Sequence, residues 1–331
     1  MRIGFISDTH LCDARPVRLE RVATAFEWAI RDMLERKVEL IIHLGDIFHK
    51  HHPSPLEHHT AARVLKQTGG VPVWLLAGNH DGARQINRPT ACSMLESYAR
   101  VIDRPEVLQH DDVEICCIPW ASMAGLVDIL GKNSGAVTNA GILVADLLHR
   151  MADDNPQSAV ICGHLPFAEA MLGGERLMAL SGDWSVGVHD IPEQFKLGLF
   201  GHIHRQQTIS GTEHVSYVGS TSQLDFGDEG VQTSYTLAVS SGDEWLTTTV
   251  DCDKGLMFRT VTPDDVPNVE QATGSIIRIV CERKPHERLD IASLIKRWEN
   301  EGALEVHVRE TVTDIDRGRS DVIDVDQSLT D

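Results

Sequence analysis

The chain has 331 residues, 42% of them hydrophobic and 24% charged, enough for one large core or two smaller ones in an ordinary globular protein. Its 49 acidic side chains against 30 Lys and Arg leave a formal charge of −19, which argues against a chain that holds nucleic acid by charge alone. The seven cysteines have no CxxC spacing and exclude a disulfide framework or thiolate zinc site as the expectation, while no apolar run approaches the ~18 residues that cross a bilayer.

Met1 leads straight into a strand-like segment without a basic, apolar or cleavage-site region, so a cytoplasmic location is expected. Strand-length apolar runs then fall at 3–6, 40–43, 73–77, 114–118, 159–162 and 197–200. Helical periodicity separates several of them, at 19–34, 56–65, 91–98 and 141–151. Runs that are apolar almost throughout predict strands covered on both faces, as in a layered α/β fold. From about residue 206 short alternating strands with Gly and Ser turns take over, ending near Val250. A strand at 256–261, a strand at 275–281, a helix at 290–300 and a strand at 304–309 then form a ββαβ-like unit. The expected division is 1–250, 251–310 for a small α+β capping domain, and 311–331 for an acidic tail or linker.

The polar motifs directly follow the predicted strands. They read "SDTH" (7–10), "LGDIFH" (44–49), "AGNHD" (77–81), "CGHLPF" (162–167) and "FGHIH" (200–204). Ligands of α/β sheets bind beyond the carboxyl ends of the strands, so these clusters are expected to converge. Carboxylates, an amide and imidazoles together suit Mn²⁺, Fe²⁺ or Zn²⁺ better than Ca²⁺ or Mg²⁺. A carboxylate such as Asp46 is able to bridge two ions about 3.5–4 Å apart. Gly45, Gly78, Gly163 and Gly201 are expected to permit tight turns out of the strands. The stretch 41–59 holds six of the 17 histidines; of these, His43 lies inside a strand and reads as core or as a support for a ligand. His51, His52, His58 and His59 read as surface. Residues 49–66, with Lys50, Arg63 and Lys66 against Glu57, are a local exception to the acidic balance.

The ordered pattern DxH, GD, GNHD, GH, GHxH resembles the calcineurin-like metallophosphoesterases. Within them "GDIFHKHHPSP", "IPEQFKLGLFGHIHRQQ" and "SYVGSTSQLDFGDEG" are most similar to the SbcD nucleases of double-strand-break repair, bacterial counterparts of the meiotic recombination nuclease. The resemblance covers residues 1 to about 240 and is weaker through 256–309. It implies a four-layer metallophosphoesterase fold, two mixed sheets flanked by helices, and two divalent metal ions, Mn²⁺ first among them. One ion would be held by Asp8, His10, Asp46 and His204, the other by Asp46, Asn79, His164 and His202. His80 matches the family's catalytic histidine and His49 a further active-site histidine, with Asp81 orienting His80 or a ligand from behind.

The implied reaction is hydrolysis of DNA phosphodiester bonds, as a 3′ to 5′ exonuclease on duplex ends and an endonuclease on single strands or hairpins. The implied partners are DNA and an SbcC-like ATPase of the SMC type, whose surface would answer for the acidic charge. A homodimer is implied through helices at 55–66 and 90–99, with Leu56, Val64, Leu65, Met94, Leu95 and Tyr98 either its interface or ordinary core. Two alternatives stand beside this one: a phosphoesterase acting on a small phosphodiester, nucleotide or phosphoprotein, and a non-enzymatic scaffold.

Overall fold

In β1 (Arg2–Ile6) the strand period of two sends Ile3 and Phe5 to one face and Gly4 to the other, against Met33 of α1 (Pro16–Glu35). β2 (Leu40–His43) repeats the pattern: Leu40 and Ile42 join Ile3 and Phe5, and His43 turns toward Phe26 of α1, the ring centroids 5.6 Å apart. α2 (Pro55–Leu65) packs beside α1, and its start is legible in the sequence. Ser54 accepts the Glu57 N–H, the Glu57 carboxylate accepts the Ser54 N–H, and Pro55 takes the first helical position. β3 (Val73–Leu76) and β4 (Arg100–Ile102) extend the parallel run.

A second sheet follows, from β5 (Glu106–His110), β6 (Val113–Ile118), β7 (Val160–His164), β8 (Leu197–Gly201), β9 (Gln207–Thr208) and β10 (Val215–Tyr217). Its order is β5-β6-β7-β8-β10-β9, with β6, β7, β8 and β10 parallel and the two edges antiparallel. α3 (Met123–Leu130) and α4 (Ala140–Asp154) cover its outer face, where Leu126, Leu143 and Leu147 pack with Cys116, Ile161 and Phe200. The chain returns as β11 (Ser234–Ser241) and β12 (Glu244–Asp251), which complete the first sheet in the order β12-β11-β1-β2-β3-β4. The inner faces of the two sheets share one core, in which Ile3, Phe5, Ile42 and Trp74 meet Ile115, Val160, Cys162 and Leu199. The result is the four-layer α/β arrangement of two mixed sheets flanked by helices.

This computed structural model describes residues 1–82, 89–120, 122–130, 139–171, 184–242, 244–284 and 288–312. The expected acidic tail, apart from Thr311 and Val312, lies outside them. Two compact units are present, Met1–Ser222 with Val231–Gly255, and Gln223–Gly230 with Leu256–Asp331. The second holds β13 (Met257–Val261), α5 (Val269–Ala272), β14 (Ser275–Arg283), α6 (Ile291–Asn300) and β15 (Glu305–Val312), whose three strands run parallel in the order β13-β14-β15. Trp298 of α6 packs on Ile277, Ile279 and Cys281. Within the same unit Phe226 lies against Phe258 and under the Arg278 guanidinium, 4.1 Å from its ring centroid.

The structure departs from the sequence reading at short elements. β4, β5 and α3 are additional, and the helix expected at 91–98 is a 3-10 segment, Ala91–Leu95. There Ser93 bonds back to Thr90 and Tyr98 to Leu95, i to i−3 contacts that close the segment before β4 begins at Arg100. Among the described residues no helix is long and apolar enough to cross a membrane.

Candidate metal centre

The loops after β1 and β2 run side by side as a short extension of the sheet: Asp8 N–H donates to Gly45 O, His10 N–H to Asp46 O, and Leu11 N–H to Ile47 O at 2.8 Å. Each loop turns its chemistry inward by bending the backbone into the left-handed region. Asp8 has φ 51°, His10 46°, Asp46 55° and, after β8, His202 99°. Non-glycine residues rarely adopt such angles, and they persist where surrounding contacts enforce them at functional sites.

The glycines at these turns differ in purpose. Gly45, at φ 110°, meets the expectation of a tight turn. Gly78 has no such angle; a Cβ there would overlap the Asp46 carboxylate and backbone N–H. It is glycine because two loops meet at that point, and Gly201 is packed the same way against Ser7 and Leu44 O.

Around this scaffold the predicted residues come together. The ligating atoms of Asp8, His10 and His204 lie within 4.8 Å of one another, as do those of Asp8, Asp46 and His164. A single oxygen, Asp46 Oδ2, lies 3.5 Å from both His10 Nε2 and His164 Nε2. The other carboxylate oxygen is fixed by the His80 N–H at 2.8 Å. Asn79 Oδ1 stands 2.9 Å from His164 Nε2 and 3.0 Å from His202 Nδ1, and the His202 N–H reaches back to Asp8 Oδ2 at 3.1 Å.

This donor set fits divalent cations. His164 commits its Nδ1–H to Leu44 O at 2.9 Å, so its Nε2 faces the oxygens of Asp46 and Asn79, an arrangement satisfied by a proton on Nε2 or by a cation in its place. His10 Nε2, buried and 3.8 Å from Asp8 Oδ1, has no hydrogen-bond partner among the described residues. Burial opposes charge on the His164 imidazole, but Asp46 and Asp8 draw its pKa up to about 9. Burial likewise works against charge on Asp46, yet His164 and His10 hold it below the ordinary carboxylate range. Burial pushes His202 down to about 3 and Asp8 up.

His49 and His80 flank the His10 side. Their rings stack at 24° with centroids 5.2 Å apart, and His80 stands edge-on to His10 at 4.7 Å. His80 Nδ1–H donates to His49 O at 2.8 Å, which leaves Nε2 as the nitrogen able to exchange a proton.

Asp81 is directed elsewhere than toward the His80 ring. It accepts the N–H groups of Gly78 and Ile47 at 3.1 Å and of Phe48 at 2.9 Å, tying the loop after β3 to the loop after β2. Burial, with Asp46 nearby, lifts its pKa to about 7. His43 is a buried brace: it accepts the Gly45 N–H on Nδ1, so Nε2–H donates to Thr9 Oγ1, which passes its own proton toward Ile47 O. Burial lowers it to about 3, so it stays neutral.

Of the four histidines expected at the surface, His52 and His59 are exposed. His51 bonds to Gly82 O at 2.7 Å, and His58 packs its ring on Phe48. No motif singled out Trp120, whose ring lies against His202, or Trp184, whose ring is 4.8 Å from that of Trp120. Trp120 does follow β6 as the motifs follow their own strands.

Fold and site together define the class. The calcineurin-like phosphoesterase family model matches residues 1–206, and the chain belongs to that family, whose members work with divalent metal ions. Within it the chain is similar to proteins named for DNA double-strand break repair and to a nuclease subunit. It is 25% identical over 226 residues to the DNA double-strand break repair protein Mre11 of Sulfurisphaera tokodaii, covering 66% of this chain and 53% of that one. It is 27% identical over 258 residues to the SbcD component of the SbcCD nuclease of Escherichia coli, covering 70% and 62%. With the Mre11 protein of Sulfolobus acidocaldarius the figures are 24% over 305 residues, 88% and 73%. The chain thus spans little more than half the length of the first of these relatives.

Proposed function

We propose that the chain is a two-metal DNA nuclease that hydrolyses phosphodiester bonds, trimming duplex ends from 3′ to 5′ and opening single strands or hairpins. The observation that carries this is the placement of one oxygen, Asp46 Oδ2, 3.5 Å from imidazoles of both halves of the cluster. Asp8, His10, Asp46 and His204 would hold one ion, and Asp46, Asn79, His164 and His202 the other. Bound divalent ions supply Lewis acidity toward phosphate oxygens and make water nucleophilic near neutral pH.

The chain's own groups do the rest. The His80 N–H holds Asp46 Oδ1, which keeps Asp46 Oδ2 turned toward His10 and His164, where it would contact both ions. The His49 carbonyl fixes the His80 ring with Nε2 outward, placed to give a proton to the departing oxygen or to stabilise its charge. His49 itself, its Nδ1 3.4 Å from His10 Nδ1, would contact the phosphate from the same side. Asp81 positions both loops through their backbone rather than touching the reacting groups.

The relatives named as nucleases and repair proteins support DNA as the substrate, and the SbcCD name supports an SbcC-like ATPase as the partner that supplies cationic surface. Exposed Leu56 (45%) and Met94 (68%) support a homodimer contact near α2, whereas Val64, Leu65 and Leu95 are buried core. The −19 charge favours a second reading, a small phosphodiester as substrate.

Cleavage of 5′-labelled duplex and hairpin DNA in Mn²⁺ and Mg²⁺ separates the two. A ladder from the duplex, lost in Asp46→Ala and reduced by roughly 10²–10⁴ in His80→Ala with bound metal retained, is the expected result. Turnover of bis-p-nitrophenyl phosphate without any DNA cleavage would establish the second reading.

A further inference from the structure

His202 carries a stack of aromatic rings away from the cluster. The Trp120 indole lies over the His202 imidazole at 27° with centroids 5.3 Å apart, and the Trp184 indole continues from Trp120 at 4.8 Å and 40°. Trp120 also stands edge-on to His164 at 6.2 Å, and its backbone is pinned by an N–H donated to Ala77 O at the end of β3. The two flanks of the centre are therefore chemically unlike. Around His10 stand imidazoles suited to proton transfer, whereas against His202 and His164 stands the Trp120 indole, with Trp184 next in the stack, and neither has a titratable group.

Core tryptophans of this protein look different. Trp74 and Trp298 are 6% and 2% exposed, while Trp120, beside His202, and Trp184, which packs from Trp120 onto the apolar cluster of the second sheet, are only partly buried. A half-covered indole pair offers a broad π surface and an N–H, which is what a flat, partly polar ring uses to stack. A net charge of −19 lowers the electrostatic share of affinity for a phosphate backbone, which leaves more for stacking to contribute.

We propose that Trp120 and Trp184 form a stacking platform for a nucleobase next to the scissile phosphate, on the His202 side of the centre. The proposal rests on the nuclease reading and adds how the substrate is recognised. Stacking is tolerant of base identity, so the platform distinguishes a nucleotide from a bare sugar phosphate rather than one base from another.

The test compares intact single strands with strands carrying a stable abasic residue at either nucleotide flanking the cleaved bond, in Mn²⁺. Wild type is expected to cleave the intact strand with a kcat/KM roughly tenfold above one of the abasic strands, the scale of one base–indole stack. Trp184→Ala brings the ratio of intact to abasic rates from roughly ten to about one, and Trp184→Phe keeps most of the preference. With Ca²⁺ in place of Mn²⁺, the intact strand quenches tryptophan fluorescence of wild type more than the abasic strand does, and Trp184→Ala loses the difference. Equal wild-type rates on all strands, or a Trp184→Ala variant slowed on all alike, would overturn the platform and leave the nuclease standing. No cleavage or quenching with any strand, alongside hydrolysis of bis-p-nitrophenyl phosphate, would overturn both.

Discussion

At the scale of single residues, what holds the centre in shape is the contact between loops. Gly78 is the sharpest case, because the position a methyl group would take belongs to the Asp46 carboxylate. Gly78→Ala is expected to displace Asp46 and weaken metal affinity by roughly 10–100-fold, as measured by competition with a chelating dye. Asp81→Ala deprives three buried N–H groups, of Ile47, Phe48 and Gly78, of their shared acceptor. At about 1–3 kcal/mol for each buried group left unpaired, the loss is at least ~3 kcal/mol and shows as a lowered midpoint in urea. The polar residues that the structure gathers, from Asp8 to His204, are legible in the sequence because each follows an apolar run. The supporting roles are not: that Asp81 serves backbone amides rather than the His80 ring, or that Gly78 is small for the sake of Asp46, depends on which loops become neighbours. Sequence distance hides this, as Phe48 and Asp81 are bonded across 33 positions.

At the scale of elements, α2 shows local sequence and tertiary structure agreeing. Glu57 closes the capping box with Ser54 and also accepts the Asp13 N–H at 2.7 Å, so one buried carboxylate joins the helix start to the segment beyond β1. Ser54→Ala removes only the cap and is expected to lower stability by about 1 kcal/mol in thermal unfolding, without change in kcat. Long elements such as α1, α4 and the central strands announce themselves through periodicity. β4 and β5 do not, being three and five residues long and exposed in part. The segment 91–98 shows the limit of periodicity, since an apolar pattern of helical spacing was satisfied by a single 3-10 turn once Cys92 and Leu95 were buried.

At the scale of the molecule, the two sheets share a core made from both inner faces, and the polar centre lies at the carboxyl ends of their parallel strands. A cation that binds the folded arrangement and not the open chain stabilises the whole: at a hundred times its dissociation constant the gain is about 2.7 kcal/mol. Mn²⁺ is therefore expected to raise the calorimetric unfolding temperature by roughly 5–10 °C and EDTA to reverse it. An unchanged temperature would show that no ion binds the folded state.

The bond from the His202 N–H to Asp8 spans 194 positions of sequence. During synthesis, then, no emerging fragment holds a complete centre until the stretch through His204 has left the ribosome, on the order of ten to forty seconds at ~5–20 residues per second. A chain broken off before that point lacks the partner of Asp8 and the last two imidazoles of the cluster, so the centre forms late and all at once rather than ligand by ligand.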